Sequence, residues 1–259
     1  MKKLLFTTLL TTVLYAPINA FSEEITIVVD RKYPPYTYKE KGVIKGAYVD
    51  VMKEADKLMD DFEIKFKAKS WAKGLEAMKS GENIALIPPY KNKERSYMTY
   101  GTGFAEERVV LICNERTVKE KPSSYPTGYK GLTFSNNTGF ASPGAAFFNE
   151  VKVGNIKLVE SKSTQVNLLK LASKEADCYA NDDLVLQQAI KKLTDGNAMR
   201  KRDFQKISEF EELAKNDVYV GISVKNNHPR KAEFDKKLNA ALKTLKESGR
   251  IQEILANYR

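Results

Sequence analysis

Trp71-Ala72-Lys73-Gly74-Leu75-Glu76-Ala77-Met78-Lys79-Ser80-Gly81, followed by Ile84-Ala85-Leu86-Ile87-Pro88-Pro89-Tyr90-Lys91-Asn92-Lys93-Glu94-Arg95, is the stretch on which the fold turns. Trp71, Leu75 and Met78 fall at i, i+4 and i+7, one face of a helix, and Gly81 is the permissive residue that ends it. Ile84 to Ile87 reads as a fully apolar strand, closed at its carboxyl end by Pro88 and Pro89, which cannot donate to a ladder. In open α/β sheets ligands bind beyond the carboxyl ends of the strands, so residues 90–95 lie where a ligand is met. Arg95 offers there a planar fork of donors that fits a carboxylate bidentately, which a lysine does less well. Trp71 adds a stacking ring, and the two together suit a small zwitterion. The plainer readings are a solvated cation beside Glu94 for Arg95, and a core residue on the Leu75 and Met78 face for Trp71.

The same alternation extends in both directions. Upstream, Ile25 to Val29 reads as a strand ending at Asp30 and the turn Tyr33-Pro34-Pro35-Tyr36. A helix is predicted from about Asp50, with Val51, Ala55 and Leu58 on one face, and Phe62, Ile64, Phe66 and Ala68 alternate as a half-buried strand should. Downstream, a strand from Arg108 to Cys113 runs into the turn formers of Lys121 to Gly128. A second series follows: a strand at Leu132 to Phe134, a helix carrying Phe147 and Phe148, a strand around Leu158 and Val159, a helix through Val166 and Leu169, and Asp177 to Asn181. The chain closes with a strand from Val218 to Val224 and a helix with Phe234, Leu238, Leu242 and Leu245 on one side, stopped at Gly249. This is an α/β chain in two lobes of similar size, with no exact internal repeat.

The first residues address the compartment. Lys2 and Lys3 precede an apolar run from Leu4 to Tyr15, then Pro17 and the small residues Ala20 and Ser22, the layout of a secretory signal cleaved after Ala20 or Ser22. The run is too short for a permanent membrane span. No cysteine follows it to carry a lipid, so a Gram-negative periplasm is expected. Losing Lys2 and Lys3 lowers the formal charge from +10 to +8. The remaining cations are spread over helix surfaces instead of clustering with aromatics, which argues against a nucleic-acid partner. Cys113 and Cys178, an even count in an oxidising compartment, invite a bridge, while their apolar strand settings equally fit two separate buried thiols. With His228 the only histidine, neither a metal site nor a Ser-His or Cys-His nucleophile is supported, and no cofactor is expected.

An ordered set of motifs carries a resemblance. Tyr33-Pro34-Pro35-Tyr36, Gly46-Ala47-Tyr48-Val49-Asp50, Trp71, Gly81, Glu94-Arg95, Asp177 to Asp182, and Tyr219-Val220-Gly221-Ile222 before the Leu242 to Leu255 helices stand in the order of the family 3 extracellular solute-binding proteins. The chain resembles these polar amino-acid receptors of ABC importers over essentially its whole mature length. The resemblance implies a type II bilobal periplasmic-binding-protein fold. It divides the chain into a signal peptide at 1–22, lobe one at 23–108 and 218–259, and lobe two at 109–217. Hinge crossings are expected near Ala105 to Val109 and Leu213 to Tyr219, with closure of a monomeric clamp around a small ligand and delivery to a membrane permease.

The resemblance also implies a site. Arg95 matches the arginine that forks onto the ligand α-carboxylate, and Asp182 matches the acid that takes the α-ammonium. Asp182 also reads as an N-cap for the helix that starts at Asp183. Trp71 and Tyr33 match aromatics that wall the side-chain pocket, with Tyr36 a weaker candidate. Thr138-Gly139-Phe140-Ala141-Ser142-Pro143-Gly144 occupies the place of a Gly-rich loop whose backbone N–H groups receive an anionic group, with Thr138 or Ser142 adding a hydroxyl. Asp30 stands where some receptors hold a ligand cation.

Pro88-Pro89-Tyr90 replaces the usual Ser/Ala-Gly-hydrophobic-Thr run, removing two backbone donors and a threonine hydroxyl, which opens the range of ligands beyond standard α-amino acids. Two other uses of such a fold are a sensory ligand-binding domain and a small dehydratase-like enzyme. A sensor is expected to be joined to a transmembrane helix, whereas this chain ends at Arg259. An enzyme needs a perturbed acid or base, and no paired motif singles one out, so a non-enzymatic receptor is expected.

Overall fold

A computed structural model describes residues 22–120, 124–196 and 207–258. All of the expected signal segment except Ser22, and part of the Lys121 to Gly128 break, lie outside the described residues.

The first sheet has the order β5-β1-β6-β13-β7, made of β1 (Glu23–Asp30), β5 (Phe62–Lys69), β6 (Ala85–Ile87), β7 (Met98–Tyr100) and β13 (Gly221–Ser223). β1 runs parallel to β5 and β6, and β13 runs antiparallel to β6 and β7. The central strands are apolar on both faces because helices cover both. On one side α1 (Ala47–Asp56), α7 (Lys231–Glu247) and α8 (Arg250–Ala256) bury Met52, Phe234, Leu238 and Leu242 against Ile25 and Ile27. On the other, α2 (Trp71–Ser80) sets Trp71 and Met78 on Val28 and Leu86. The helix from Trp71 ends at Gly81, which is left-handed (φ +84°) as a C-terminal glycine is used. A small antiparallel sheet of β2 (Lys32–Tyr33), β3 (Thr37–Glu40) and β4 (Val43–Lys45) follows β1.

The second sheet has the order β10-β9-β11-β8-β12, made of β8 (Ala105–Asn114), β9 (Thr133–Asn137), β10 (Lys157–Ser161), β11 (Cys178–Asp182) and β12 (Ile207–Val218). β9 is parallel to β10 and β11, and β8 is antiparallel to β11 and β12. Its helices include α3 (Glu115–Glu120), α4 (Ala145–Lys152), α5 (Thr164–Ala172) and α6 (Asp183–Asp195). The β8 and β12 ladder runs from Ala105↔Val218 to Asn114↔Ile207. Ala105 and Val218 belong to the core of the first lobe, and Val109 and Leu111 to that of the second, so this pair of strands passes from one lobe to the other.

The structure adjusts several sequence expectations. The first helix starts at Ala47 and stops at Asp56, so Leu58 lies in the turn beyond it, 52% exposed, while Met59 takes the buried place. On α5 the buried side chains are Thr164, Asn167, Leu168 and Leu171, and Val166 and Leu169 face outward. The expected strand from Val218 to Val224 is two strands in two sheets: Val218 ends β12 and Gly221 begins β13. Gly221 fits this crossing because a Cβ there would meet Met98 Sδ at 2.8 Å and Pro89 Cγ at 3.1 Å. Cys113 and Cys178 are bridged, as directly opposed residues of β8 and β11. The bridge spans 65 residues of sequence, and in the chain-entropy account a loop of that size stabilises the fold by about 4 kcal/mol.

Candidate functional site

The carboxyl ends of β1 and β6 open into a cleft between the lobes. Asp30 is the last residue of β1, Tyr33 lies in β2, Trp71 opens α2, and Pro88, Tyr90 and Arg95 follow β6; these six line one side. Phe140, Ala141 and Ser142, from the loop between β9 and α4, line the other. The cleft measures about 320 Å³ counted out to its mouth, and between the rings it leaves room for little more than a water molecule.

Two opposite charges face this cleft without an ion pair among the described residues. Arg95, only 8% exposed, makes no ion pair among the described residues; its Nη2 donates to the Gly139 carbonyl at 2.9 Å, and its guanidinium lies 5.7 Å from the centre of the Trp71 ring. Glu94 is its neighbour in sequence and not its partner. Burial pulls the Arg95 pKa down. Asp30, 5% exposed, accepts one hydrogen bond, from the Lys32 amide at 3.0 Å, and burial raises its pKa from 3.8 to about 7. A buried charge without a partner is costly, and a ligand carrying both signs removes both costs at once.

Aromatic rings form the walls. Phe140 meets Tyr33 edge to face at 5.5 Å and Trp71 at 5.9 Å. Trp71 packs in the core with Met78 and Leu86 and also lines the cleft, with Nε1 donating to the Gly139 carbonyl at 3.1 Å. The hydroxyls of Tyr33 and Tyr90 turn away from the cleft and donate to Glu107 of β8, Tyr33 at 2.5 Å, and Tyr48 donates to the same carboxylate at 2.8 Å.

Several predicted residues sit elsewhere. Asp182 does not line the cleft: 1% exposed, it accepts the Val185 amide at 3.0 Å as the N-cap of α6. Burial, reinforced by the charge of Glu107, raises its pKa to about 8. Tyr36 stacks on Tyr48 at 4.4 Å and also stays behind the cleft.

In the loop from Thr138, the first three of the expected amide donors are occupied internally. Thr138 N–H donates to Ser161 O, Gly139 N–H to Glu160 Oε1 and Phe140 N–H to Asn137 O. Gly139 contributes its carbonyl to the site instead, and its φ of +79° together with Leu75 Cδ1 at 3.2 Å from a would-be Cβ explains the glycine. Thr138 lines an outer part of the cleft beside Asn137 and Lys73. Ser142 does line the inner cleft, and among the described residues the amides of Ala141 and Ser142 have no internal acceptor.

Sequence reasoning missed Glu107, Tyr48 and Pro88 as a wall. A signal for Glu107 was available: Ala105, Glu107, Val109 and Leu111 alternate along one strand, which places an acid on an otherwise apolar face.

Comparison with known proteins agrees with this architecture. A histidine kinase sensor domain with similarity to periplasmic binding proteins superposes with a TM-score of 0.74 at 16% identity, covering 92% of this chain and 96% of that one. An ancestral arginine-binding protein bound to arginine gives 0.72 at 18% identity, covering 91% and 97%. An ancestral amino acid-binding protein described as a precursor of cyclohexadienyl dehydratase gives 0.69 at 14% identity, covering 91% and 94%. At these identities the likeness establishes the bilobal fold alone. No curated protein sequence matches the chain. The model of the bacterial extracellular solute-binding proteins, family 3, matches residues 25–259, and the chain belongs to that family.

Proposed function

We propose that the protein captures a small amino acid or related zwitterionic carboxylate between its lobes in the periplasm and delivers it to the permease of an ABC importer. The observation that carries this reading is the pair of opposite charges, Asp30 and Arg95, with no ion pair among the described residues, on one ring-walled cleft at the strand ends. Arg95 receives the carboxylate together with the free amides of Ala141 and Ser142, and Asp30 receives the ammonium. Asp182, engaged as a cap, holds the lobe-two wall from behind. Charge-assisted hydrogen bonds of roughly 1.5 to 3 kcal/mol each, with ring contacts added, reach the roughly 8 kcal/mol of a micromolar site.

Lobe one is 23–108 with 218–259 and lobe two is 109–217, with the signal segment at 1–22 removed on export. The β8 and β12 crossing, near Ala105 to Val109 and Leu213 to Tyr219, is the hinge. Opening there draws Phe140 and the Gly139 carbonyl away from Trp71 and Arg95, which makes room for the ligand. A thermal-shift screen of the mature protein over amino acids, opines and small carboxylates tests the reading, because a bound species stabilises the folded state by mass action. A rise in Tm confined to zwitterions supports it, and a flat response across the screen contradicts it.

A sensory role is the second reading, favoured by the likeness to a kinase sensor domain. Gene deletion separates the two: loss of uptake of the captured compound marks an importer, and intact uptake with loss of a response to that compound marks a sensor.

A further inference from the structure

Ligand capture as described leaves one buried acid unused. Glu107 is 1% exposed, lies behind the cleft, and has no ion pair among the described residues. Its Oε2 accepts the hydroxyls of Tyr33 and Tyr90, and its Oε1 accepts that of Tyr48. The three phenols come from β2, α1 and the segment after β6, all in the first lobe, and they converge on the strand that passes into the second. Burying an acid costs free energy unless its oxygens are satisfied, and here three donors satisfy them, so the arrangement holds the phenols as firmly as it holds the acid.

The consequence for the cleft is directional. A tyrosine whose hydroxyl is tied behind the wall can offer only its ring to the front. We propose that Glu107 is a positioning residue that sets ligand preference: by taking the hydroxyls of Tyr33 and Tyr90 it makes that wall purely a ring surface. The polar contacts left to a ligand are then Asp30, Arg95, the Ser142 hydroxyl and the 141–142 amides. This rests on the zwitterion reading above and narrows it to zwitterions whose remaining body is aliphatic or cationic, which pack on or point at ring faces. Bodies ending in a hydroxyl or carboxamide find no partner on that wall and are disfavoured.

Trp71 is the only tryptophan and stands at the end of the ring series Trp71, Phe140, Tyr33, so its fluorescence reports the wall with no ligand present. In the mature protein, Glu107→Leu is expected to raise the acrylamide quenching constant of Trp71 about two-fold, as loss of local packing order does, with far-UV circular dichroism unchanged. Adding Tyr33→Phe to Glu107→Leu should add nothing further, because the hydroxyl has already lost its acceptor. An unchanged constant, or additive effects, overturns the positioning role. If Glu107→Leu does not fold, Tyr33→Phe with Tyr90→Phe carries the same test, and unchanged quenching there overturns it equally.

For preference, calorimetric titrations with L-leucine, L-arginine, L-serine and L-glutamine are compared between the parent and Glu107→Gln, which keeps shape and one accepting oxygen. The parent's preference for leucine and arginine over serine and glutamine should narrow about tenfold, the worth of one hydrogen bond. An unchanged ratio overturns the role in ligand preference. If none of the four binds the parent, the narrowing to aliphatic and cationic amino acids fails, the thermal-shift screen decides on the capture reading, and the ligand-free quenching data decide on the positioning role by themselves.

Discussion

The guanidinium of Arg95, in the first lobe, donates to the carbonyl oxygen of Gly139, in the second, at 2.9 Å, and Trp71 Nε1 donates to that same oxygen at 3.1 Å. Two residues singled out as ligand contacts therefore also bind the lobes to each other. A guanidinium has five N–H donors, so this bond leaves Arg95 capacity for a carboxylate. Gly139→Ala sets a side chain at φ +79° and 3.2 Å from Leu75 Cδ1. We expect a loss of about 1 to 2 kcal/mol in denaturant unfolding, accompanied by greater solvent access to Trp71. Unaltered stability and fluorescence would mean that this contact does not hold the lobes.

Asp30 makes the molecule sensitive to pH. Its folded pKa, about 7, is above the ordinary 3.8, because burial disfavours the charge. Stability is therefore fully present below about pH 4 as far as this group is concerned, and is lost as pH rises through 7; Asp182, raised to about 8, extends the loss to that value. Ligand affinity moves the opposite way, since an ammonium needs the carboxylate ionised. Affinity for a zwitterion should rise by up to about tenfold per pH unit from 5 to 7 and level off above. Asp30→Asn should flatten the affinity profile and leave in the stability profile the loss due to Asp182, and a parent protein whose affinity falls between pH 5 and 7 would refute the assignment.

Reduction of the Cys113–Cys178 bridge tests the second lobe. With about 4 kcal/mol at stake, Tm should drop by about 10 °C under reducing conditions, and Cys113→Ala with Cys178→Ala should reproduce the drop. Equal melting in oxidising and reducing buffer would show the bridge to be energetically idle.

Asp182 separates capping from ligand contact. Asn caps a helix as well as Asp, so Asp182→Asn should keep both fold and affinity, whereas Asp182→Ala should cost about 1 kcal/mol of stability. Loss of affinity in the Asn variant, measured by calorimetry at unchanged Tm, would return Asp182 to the ligand.

What was legible in the sequence followed from periodicity. The helix from Trp71, its glycine stop, the apolar strand before Pro88 and the alternation from Phe62 to Ala68 all reappear, because the helix and the alternating strand bury one face each and the apolar strand buries both. Spacing alone did not show that Val218 and Gly221 enter different sheets, since an apolar run looks the same whether or not it crosses between lobes. Within the site, Asp30, Arg95, Trp71 and Tyr33 were reached from strand ends and from the resemblance, while the use of Gly139 by its carbonyl depends on loop conformation. The Glu107 cluster was out of reach for another reason: its partners Tyr33, Tyr48 and Tyr90 come from three separate elements, and only the fold brings them together.

The central claim is that Arg95 receives the carboxylate of a captured zwitterion. Isothermal titration of the parent and of Arg95→Ala with the amino acid selected by thermal shift tests it most directly. The account predicts a loss of about 100-fold or more in affinity, the equivalent of a charge-assisted hydrogen-bonded pair. Binding by Arg95→Ala as tight as that of the parent would contradict it.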